Sequence, residues 1–436
     1  MFKTLGSALK NREIRKSIII TLLLLLVYRL GCFLPTPGLD RSLYDNISAN
    51  DTTGILSLLN AVSGSALANA AVFALGVTPY INSSIIVQLL AVAIPPLERL
   101  SKEGDEGKQK INMITKIIAL VLALAQGLGI VLGLGKDYLN PIFGENLLWL
   151  TGAVVVIILM AGTCFTIWLG DKITEQGVGN GLSLIIFIGI ISTAAQAIMN
   201  SLKDIIFNNN KTLIWELVGF LALVVVIFLL IVFVDGGERK IQVQYTKQIK
   251  GRKMYGGQAS HIPMKINASG VMPIIFASAI ITFPSLIMAL CGVTKDSGWF
   301  ANFWYTYLGT GSVLYSILTA LLILFFAYFY ATIQFSPKDI SLNIQQHGGF
   351  IPGIRPGKPT TEYLKKVSHR ITLFGAIFLA FIALVPSVLF SAVAVGSQGL
   401  INSFTATGML IVVSIAIEFR EALEGRLMMN RHKNIL

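Results

Sequence analysis

Residues 213–234 read Leu-Ile-Trp-Glu-Leu-Val-Gly-Phe-Leu-Ala-Leu-Val-Val-Val-Ile-Phe-Leu-Leu-Ile-Val-Phe-Val, an apolar run with one ionisable residue, Glu216. As an α-helix these 22 residues would be about 33 Å long, close to the hydrocarbon thickness of a bilayer, about 30 Å. A helix at the surface of a soluble protein would carry a polar stripe, and this run has none. The run therefore predicts a membrane-spanning helix.

The rest of the chain has the same character. Of its 436 residues, 54% are hydrophobic and 13% are charged, whereas a soluble domain carries about 25% charged residues. So little charge excludes a soluble enzyme, a disordered chain and a soluble nucleic-acid-binding protein, and it predicts an all-α polytopic membrane protein. Ten candidate spans lie near residues 18–34, 76–94, 112–134, 149–169, 182–199, 213–234, 271–290, 312–334, 371–390 and 401–419.

The positive charges of the connecting segments predict the orientation. Ten spans place both chain ends on one side, and the segments on that side hold nearly all Lys and Arg residues. The segments on the other side hold only Arg41, Lys136, Lys203, Lys211 and Lys295. Because basic loops stay in the cytoplasm, both termini are expected to be cytoplasmic.

Ionisable residues are nearly absent from the predicted spans. Arg29 lies toward the outer end of the first span, where its side chain is expected to snorkel to the headgroups. An ion-coupled carrier usually has charged groups near the middle of the bilayer, and an intramembrane protease needs a catalytic set there. No such set and no Walker A motif is found. The sequence thus predicts no catalytic residue, no metal and no cofactor, and an enzyme is disfavoured.

The chain has three cysteines, Cys32, Cys164 and Cys291, and no CxxC pair. Their scatter indicates neither a zinc site nor a disulfide framework. They are expected to be small buried apolar residues.

One outer segment, residues 55–75, is fairly apolar. It nevertheless contains too many polar residues, and is too short, to span a membrane alone. Its polar and small residues are Ser57, Asn60, Ser63, Gly64, Ser65 and Asn69. Two interpretations are open: a loop helix at the membrane surface, or a re-entrant segment inside a central cavity.

Two cytoplasmic loops are long and basic. In the 235–270 loop, the alternation of Gln242-Val243-Gln244-Tyr245 predicts a short hairpin. In the 335–370 loop, residues 350–357 form a stiff, turn-rich stretch, Phe-Ile-Pro-Gly-Ile-Arg-Pro-Gly. Two long basic loops of defined shape are more than the orientation of the spans requires. They favour docking of a large acidic partner.

Several motifs resemble the SecY family of protein-conducting channels, from end to end of the chain. The motifs are residues 35–38 (PTPG), 73–81 (FALGVTPYI), 176–181 (QGVGNG), 263–267 (PMKIN), 270–273 (GVMP) and 350–357 (FIPGIRPG). The resemblance implies ten helices in two pseudo-symmetric halves, residues 1–200 and 201–436, around an hourglass pore. It also implies a ring of aliphatic side chains at the waist, here called the ring residues: Val77, Ile81, Ile186, Ile275 and Ile411.

The resemblance also assigns the outer segment. Residues 58–71 match the family's plug, a short helix below the ring, and are here called the plug segment, with plug residues Leu58, Asn60, Ser63, Gly64, Ser65, Asn69 and Ala71. The second and seventh spans match a lateral gate, with Asn82, Ile85 and Phe283 facing one another and Gln126 nearby. Pro79, Pro273 and Pro284 weaken the backbone hydrogen bonding of these helices.

The function implied by the resemblance is a channel in the bacterial plasma membrane for unfolded secretory polypeptides, which also releases hydrophobic segments into lipid. Its energy would come from partners. Those implied are SecE, SecG, the SecA motor and the ribosome, with the preprotein, its signal peptide and membrane lipid as further contacts. Contacts with the motor or ribosome are expected from Arg239, Lys240, Arg252, Lys253 and Arg355. A small-solute secondary transporter is the alternative.

Overall fold

The computed structural model describes residues 10–40, 60, 63–134, 139–140, 147–208, 211–245, 248–250, 253–255, 259–267, 270, 272–290, 298–308, 312–393 and 406–433. The described helices are α1 (Arg12–Gly31), α2 (Thr78–Ala93), α3 (Pro95–Lys102), α4 (Asp105–Leu134), α5 (Leu148–Gln176), α6 (Gly181–Asn208), α7 (Lys211–Asp235), α8 (Met272–Leu290), α9 (Trp299–Tyr307), α10 (Val313–Gln334), α11 (Pro337–Gln346), α12 (Lys358–Val393) and α13 (Ala406–Lys433). The described strands are β1 (Glu238–Tyr245), β2 (Gln248–Lys250), β3 (Lys253–Tyr255), β4 (Ala259–Lys265) and β5 (Gly349–Phe350).

Each of the ten predicted apolar runs contains a helix, and the all-α polytopic class is confirmed. In the described part of the chain, six helices are long and apolar enough to cross a membrane, or seven if the bent pair of α2 and α3 is one span. That pair is bent by 108°, where Pro95 and Pro96 follow α2. The count of ten spans stays a prediction.

Proline and short polar side chains set several helix starts. Pro79 lies in the first turn of α2 and Pro337 in the first turn of α11, where a missing backbone N–H costs nothing. Asn11 caps α1 by accepting a hydrogen bond from the Glu13 N–H at 3.1 Å. The apolar runs thus begin at residues that prefer helix N-termini.

The chain divides into two compact units, which are described separately. Unit 1 contains residues 1–219, 279–315 and 391–436, and unit 2 contains residues 220–278 and 316–390. These units are defined by their compactness, whereas the predicted halves, residues 1–200 and 201–436, are defined by pseudo-symmetry. The division into halves therefore stays a prediction.

In unit 1, helices α1, α2, α4, α5 and α6 pack side by side, and α13 packs on α6. The turn between α5 and α6 contains the predicted glycine-rich motif, residues 176–181. A Cβ atom on Gly181 would lie 2.0 Å from the Gly170 carbonyl oxygen, so a larger residue would separate the two helices. The Val178 N–H donates to Thr21 Oγ1 of α1 at 3.1 Å. The motif therefore joins three helices closely.

In unit 2, the two basic loops fold together. Strand β1 pairs with β4 in antiparallel register, Ile241 opposite Ile262, which confirms the predicted hairpin. Strand β1 also pairs with β5 from the second loop, through Gln244 and Phe350. The shared core consists of Ile241, Val243, Met264, Ile344, Ile351, Leu364 and Val367. We call the substructure formed by β1, β4, β5, α11 and the 350–357 turn the basic platform.

Candidate functional site

The described part of the plug segment, residues 60 and 63–71, is mostly buried in unit 1, which favours a segment inside the protein over a loop helix on the membrane surface. Ser63, Ala66 and Ala71 are fully buried. Residues 60 and 63 are helical, and residues 64–77 run in successive turns; the short helix that the resemblance implies stays a prediction. The reason for the turns is left-handed backbone at Gly64, Ser65 and Ala70, with φ of 71°, 66° and 48°, which a continuous right-handed helix does not allow. Leu58 lies outside the described residues.

The C-terminal end of α1 holds this segment from one side. The Tyr28 hydroxyl donates to the Ser63 carbonyl at 3.2 Å, and the Arg29 guanidinium donates to the next carbonyl, of Gly64. Further along, the Asn69 amide donates to the Cys32 carbonyl at 3.3 Å. Arg29 also lies 4.8 Å from the centroid of the Phe33 ring.

This arrangement adds a role to the one expected for Arg29. The side chain is half-buried and binds the Gly64 carbonyl, and its snorkelling to the headgroups stays a prediction. The physical reason is that two consecutive carbonyls of the plug segment lack helical partners at this point, and a guanidinium supplies several N–H donors. Sequence reasoning missed the role because a lone arginine near a span end looks like an interfacial anchor.

The other side of the plug segment packs against α4 and α5. Leu67, Ala74 and Leu75 share a core cluster with Ala123 of α4 and with Val155 and Leu159 of α5. The chain passes very close to α5, since a Cβ atom on Gly162 would lie 2.1 Å from the Val72 carbonyl oxygen. The small residues of this region therefore permit a buried, non-helical segment between helices.

Four of the ring residues belong to unit 1. Val77 is the residue before α2, and the Ile81 N–H donates to its carbonyl at 3.0 Å, so both lie on the first turn. Ile186 lies on α6 and Ile411 on α13, two helices that pack together, and both side chains are 8% exposed. Ile275 lies on α8 within unit 2 and is half-buried. The convergence of all five stays a prediction.

The predicted gate residues lie on α2, α4 and α8. Helix α2 packs against α4, which brings the helix of Asn82 and Ile85 beside the helix of Gln126. Gln126 is buried, and its Oε1 atom has no hydrogen-bond donor among the described residues. Phe283 lies on α8, directly before Pro284, which is inside this helix. A facing contact between Asn82 and Phe283 stays a prediction.

The basic platform presents its charges outward. Arg239 and Lys240 are exposed on β1, and Arg355 is exposed on the 350–357 turn. That turn is fixed from below, because Thr360 Oγ1 donates to the Arg355 carbonyl at 2.9 Å and Ser341 Oγ donates to the Gly357 carbonyl at 3.0 Å. Arg252 lies outside the described residues, and of Lys253 only the backbone on β3 is described. The sequence did not reveal that both loops share one sheet.

The expectation for the cysteines is corrected in part. Cys32 is buried as expected, but Cys164 is exposed on α5, where a small apolar thiol fits a helix surface in lipid; Cys291 lies outside the described residues. Lys116, a basic residue within the predicted third span, pairs with Asp171 of α5 at 2.6 Å. Among the described residues, no group of three or more His, Cys, Asp and Glu side chains could hold a metal ion.

The fold and these positions define a polytopic helical membrane protein in which an irregular segment is buried between helices. A family model named SecY matches residues 71–420. The chain is 38% identical to the protein translocase subunit SecY of Buchnera aphidicola, covering 100% of this chain and 99% of that protein. It is 37% identical to the subunit of the same name from Escherichia coli K12, covering 97% and 94%. The chain belongs to the SecY family.

Solved structures share the fold. The structure of a protein-conducting channel aligns with a TM-score of 0.64 at 18% identity and covers 94% of this chain and 91% of that one. The idle yeast Ssh1 complex, bound to the yeast 80S ribosome, aligns with a TM-score of 0.61 at 15% identity, covering 92% and 88%. Similarity at this level of identity concerns the fold alone.

Proposed function

We propose that this chain is the channel subunit of a bacterial protein translocase. It would pass unfolded secretory polypeptides across the plasma membrane and release hydrophobic segments sideways into lipid. The observation that carries this function is that named translocase subunits match nearly the whole chain at 37–38% identity. The same match favours a channel over a small-solute secondary transporter. The chain has no proposed catalysis of its own, and energy would come from partners.

Depletion of the protein tests this function. If the chain is the channel, uncleaved secretory precursors will accumulate in the cytoplasm soon after its synthesis is stopped. If it is a transporter, uptake of one solute will fall while precursors are still processed. Pulse-labelling of several precursors beside uptake assays separates the two outcomes.

The ring residues and the plug segment have distinct proposed roles. The ring residues are branched aliphatic side chains, which fit around many different side chains of a passing polypeptide and disfavour a continuous file of water. The plug segment would close the channel at rest. Its small residues and irregular turns suit a segment that packs closely in the resting channel and can still be displaced when the channel opens. Sideways release would occur between α2 and α8, where an apolar segment of about 20 residues gains free energy by entering lipid.

The basic platform is the proposed docking surface for the SecA motor or the ribosome, with both termini on the same, cytoplasmic side. Support comes from the fixed turn below Arg355 and from the exposed charges of β1, Arg239 and Lys240. Arg252 and Lys253, on the same loop as β1, are proposed as further contacts of this docking surface. SecE and SecG are the proposed membrane partners.

Reversal of the charge at Arg355 tests the platform. We expect Arg355→Glu to lower translocation about tenfold or more, because loss of one partner of a buried interfacial charge pair costs about 2–5 kcal/mol of docking free energy. Translocation of a labelled precursor into vesicles measures it. Lys110→Glu is the matched control, since Lys110 is an exposed basic residue on α4, outside the platform. Normal translocation by the Arg355 variant, in fully assembled complexes, would remove Arg355 from the docking surface.

A further inference from the structure

The end of α1 holds the plug segment at two places that differ in kind. At residues 69–72 the hold is mainly backbone: the Thr36 N–H donates to the Ala70 carbonyl at 2.8 Å, and the Val72 N–H donates to the Leu34 carbonyl at 2.9 Å. These two bonds form an antiparallel bridge between Pro35 and Ala71. At residues 63–64 the hold consists of side chains: Tyr28 and Arg29 of α1, with the Cys32 thiol as a weaker donor to the Ser63 carbonyl at 3.7 Å.

The side-chain hold is directed at backbone atoms. Tyr28 and Arg29 are consecutive, and they bind the consecutive carbonyls of Ser63 and Gly64. Among the described residues, the Arg29 guanidinium contacts the Gly64 carbonyl, the Phe33 ring and the Cys32 thiol, rather than a carboxylate. A charge-assisted hydrogen bond is roughly twice as strong as a neutral one, so Arg29 supplies the larger part of the hold.

The surroundings aim the Gly64 carbonyl at Arg29. A Cβ atom on Gly64 would lie 3.0 Å from the Cα atom of Gly189 on α6, so the plug backbone is confined between α1 and α6. Ser65 and Ala70 have left-handed backbone, which only a surrounding structure maintains in residues other than glycine. Release of the 63–64 end would therefore let Ser65 relax, while the Thr36 N–H still binds the Ala70 carbonyl.

Tyr28 also fixes the segment that follows the plug. Its ring stacks on Phe73 with centroids 5.8 Å apart and an angle of 5° between the planes. A Cβ atom on Gly31 would lie 2.0 Å from the Phe73 ring, so glycine at this position permits the contact. The ring of Tyr28 thus packs on one part of the turn region while its hydroxyl binds the other.

We propose that Arg29, assisted by the Tyr28 hydroxyl, is the positioning residue that holds the plug segment closed, and that residues 70–72 are its tether. Opening at the α1 side would require that these side chains exchange their carbonyl partners for water or for the polar backbone of an entering polypeptide. The bridge at Pro35 and Ala71 would stay formed, so the plug segment would return to the same seat. This inference rests on the proposed channel function.

Resting ion conductance of the purified complex in planar bilayers tests the proposal. We expect Arg29→Gln to raise the resting conductance about tenfold or more, the factor by which loss of a charge-assisted hydrogen bond shifts a two-state equilibrium. Tyr28→Phe retains the ring and removes one hydroxyl, so its expected rise is smaller, about threefold. Arg29→Lys keeps the charge and one donor and is expected to restore most of the seal.

Arg15→Gln is the matched control, because Arg15 is an exposed arginine on the same helix, and its loss is expected to leave the resting conductance unchanged. Tyr28→Phe covers the case in which Arg29→Gln fails to assemble. The proposed role of Arg29 and Tyr28 is refuted if complexes with Arg29→Gln and with Tyr28→Phe both have the low resting conductance of Arg15→Gln, while deletion of the plug segment raises the conductance. If the plug deletion and the ring variants are tight as well, the channel function itself is refuted.

Discussion

Complexes with glycine or serine at Ile81, Ile186 and Ile411 will conduct ions at rest, where the unmodified complex is tight. The reason is the proposed seal: aliphatic side chains at the waist exclude a file of water, and their removal leaves a wettable opening. Deletion of residues 58–71 should leak as well, because the plug segment backs the ring. Planar-bilayer conductance of purified complexes measures both, with abundance of the assembled complex as a second readout.

Two neighbouring residues are matched controls for the ring. Ile185 and Leu410 precede Ile186 and Ile411 on the same helices, and they are 0% and 1% exposed. Each points about 100° away from its neighbour around the helix. Their replacement by glycine should cost about 3 kcal/mol or more of stability through the lost packing, without conductance. If the ring variants only lose stability in the same way and stay tight, the three replaced residues are core residues and do not line a pore.

The apolar runs were predictable from sequence because the bilayer imposes a length and a composition on each helix. The apolar character of 213–234 alone predicts α7 within a few residues. The hairpin of β1 and β4 was predictable for a similar reason, since alternation at residues 242–245 reports one buried face. Both patterns are local, so a single sequence contains them.

The joining of the two basic loops was not predictable in this way. Strand β5 is only two residues long, and its partner on β1 lies about a hundred positions earlier in the chain. A strand this short has no alternation to detect, and its pairing depends on a core that both loops share. Positions far apart in sequence meet here through tertiary packing.

The hold on the plug segment was hidden for another reason. Arg29 and Tyr28 bind backbone carbonyls, and every residue has a carbonyl, so the partner leaves no mark in the sequence. The polar composition of residues 55–75 indicated that the segment is not an ordinary membrane span. Its irregular turns depend on the left-handed backbone at Ser65 and Ala70. Such turns outside glycine arise from the surroundings rather than from local preference.

Cysteines at Asn82 and Phe283 will crosslink in the resting channel, and the crosslink will block insertion of membrane proteins. The proposed gate lies between α2 and α8, and these helices must separate by about 10 Å to pass a helical segment. A disulfide requires Cα atoms within about 7 Å, so it forms only in the closed gate and then prevents opening. Cys32, Cys164 and Cys291 are first replaced by serine, so that the introduced pair is the only one present.

Position 281 supplies the control for this pair. Ile281 lies two residues before Phe283 on α8, so its side chain points about 200° away around the helix. The Asn82→Cys/Ile281→Cys pair should therefore stay uncrosslinked under the same oxidant, and its insertion activity should be unaffected by oxidation. For the Asn82→Cys/Phe283→Cys pair, a reductant should restore insertion, because the block is the covalent bond and not the substitutions. Failure of this pair to crosslink both at rest and during translocation would mean that α2 and α8 do not form the gate.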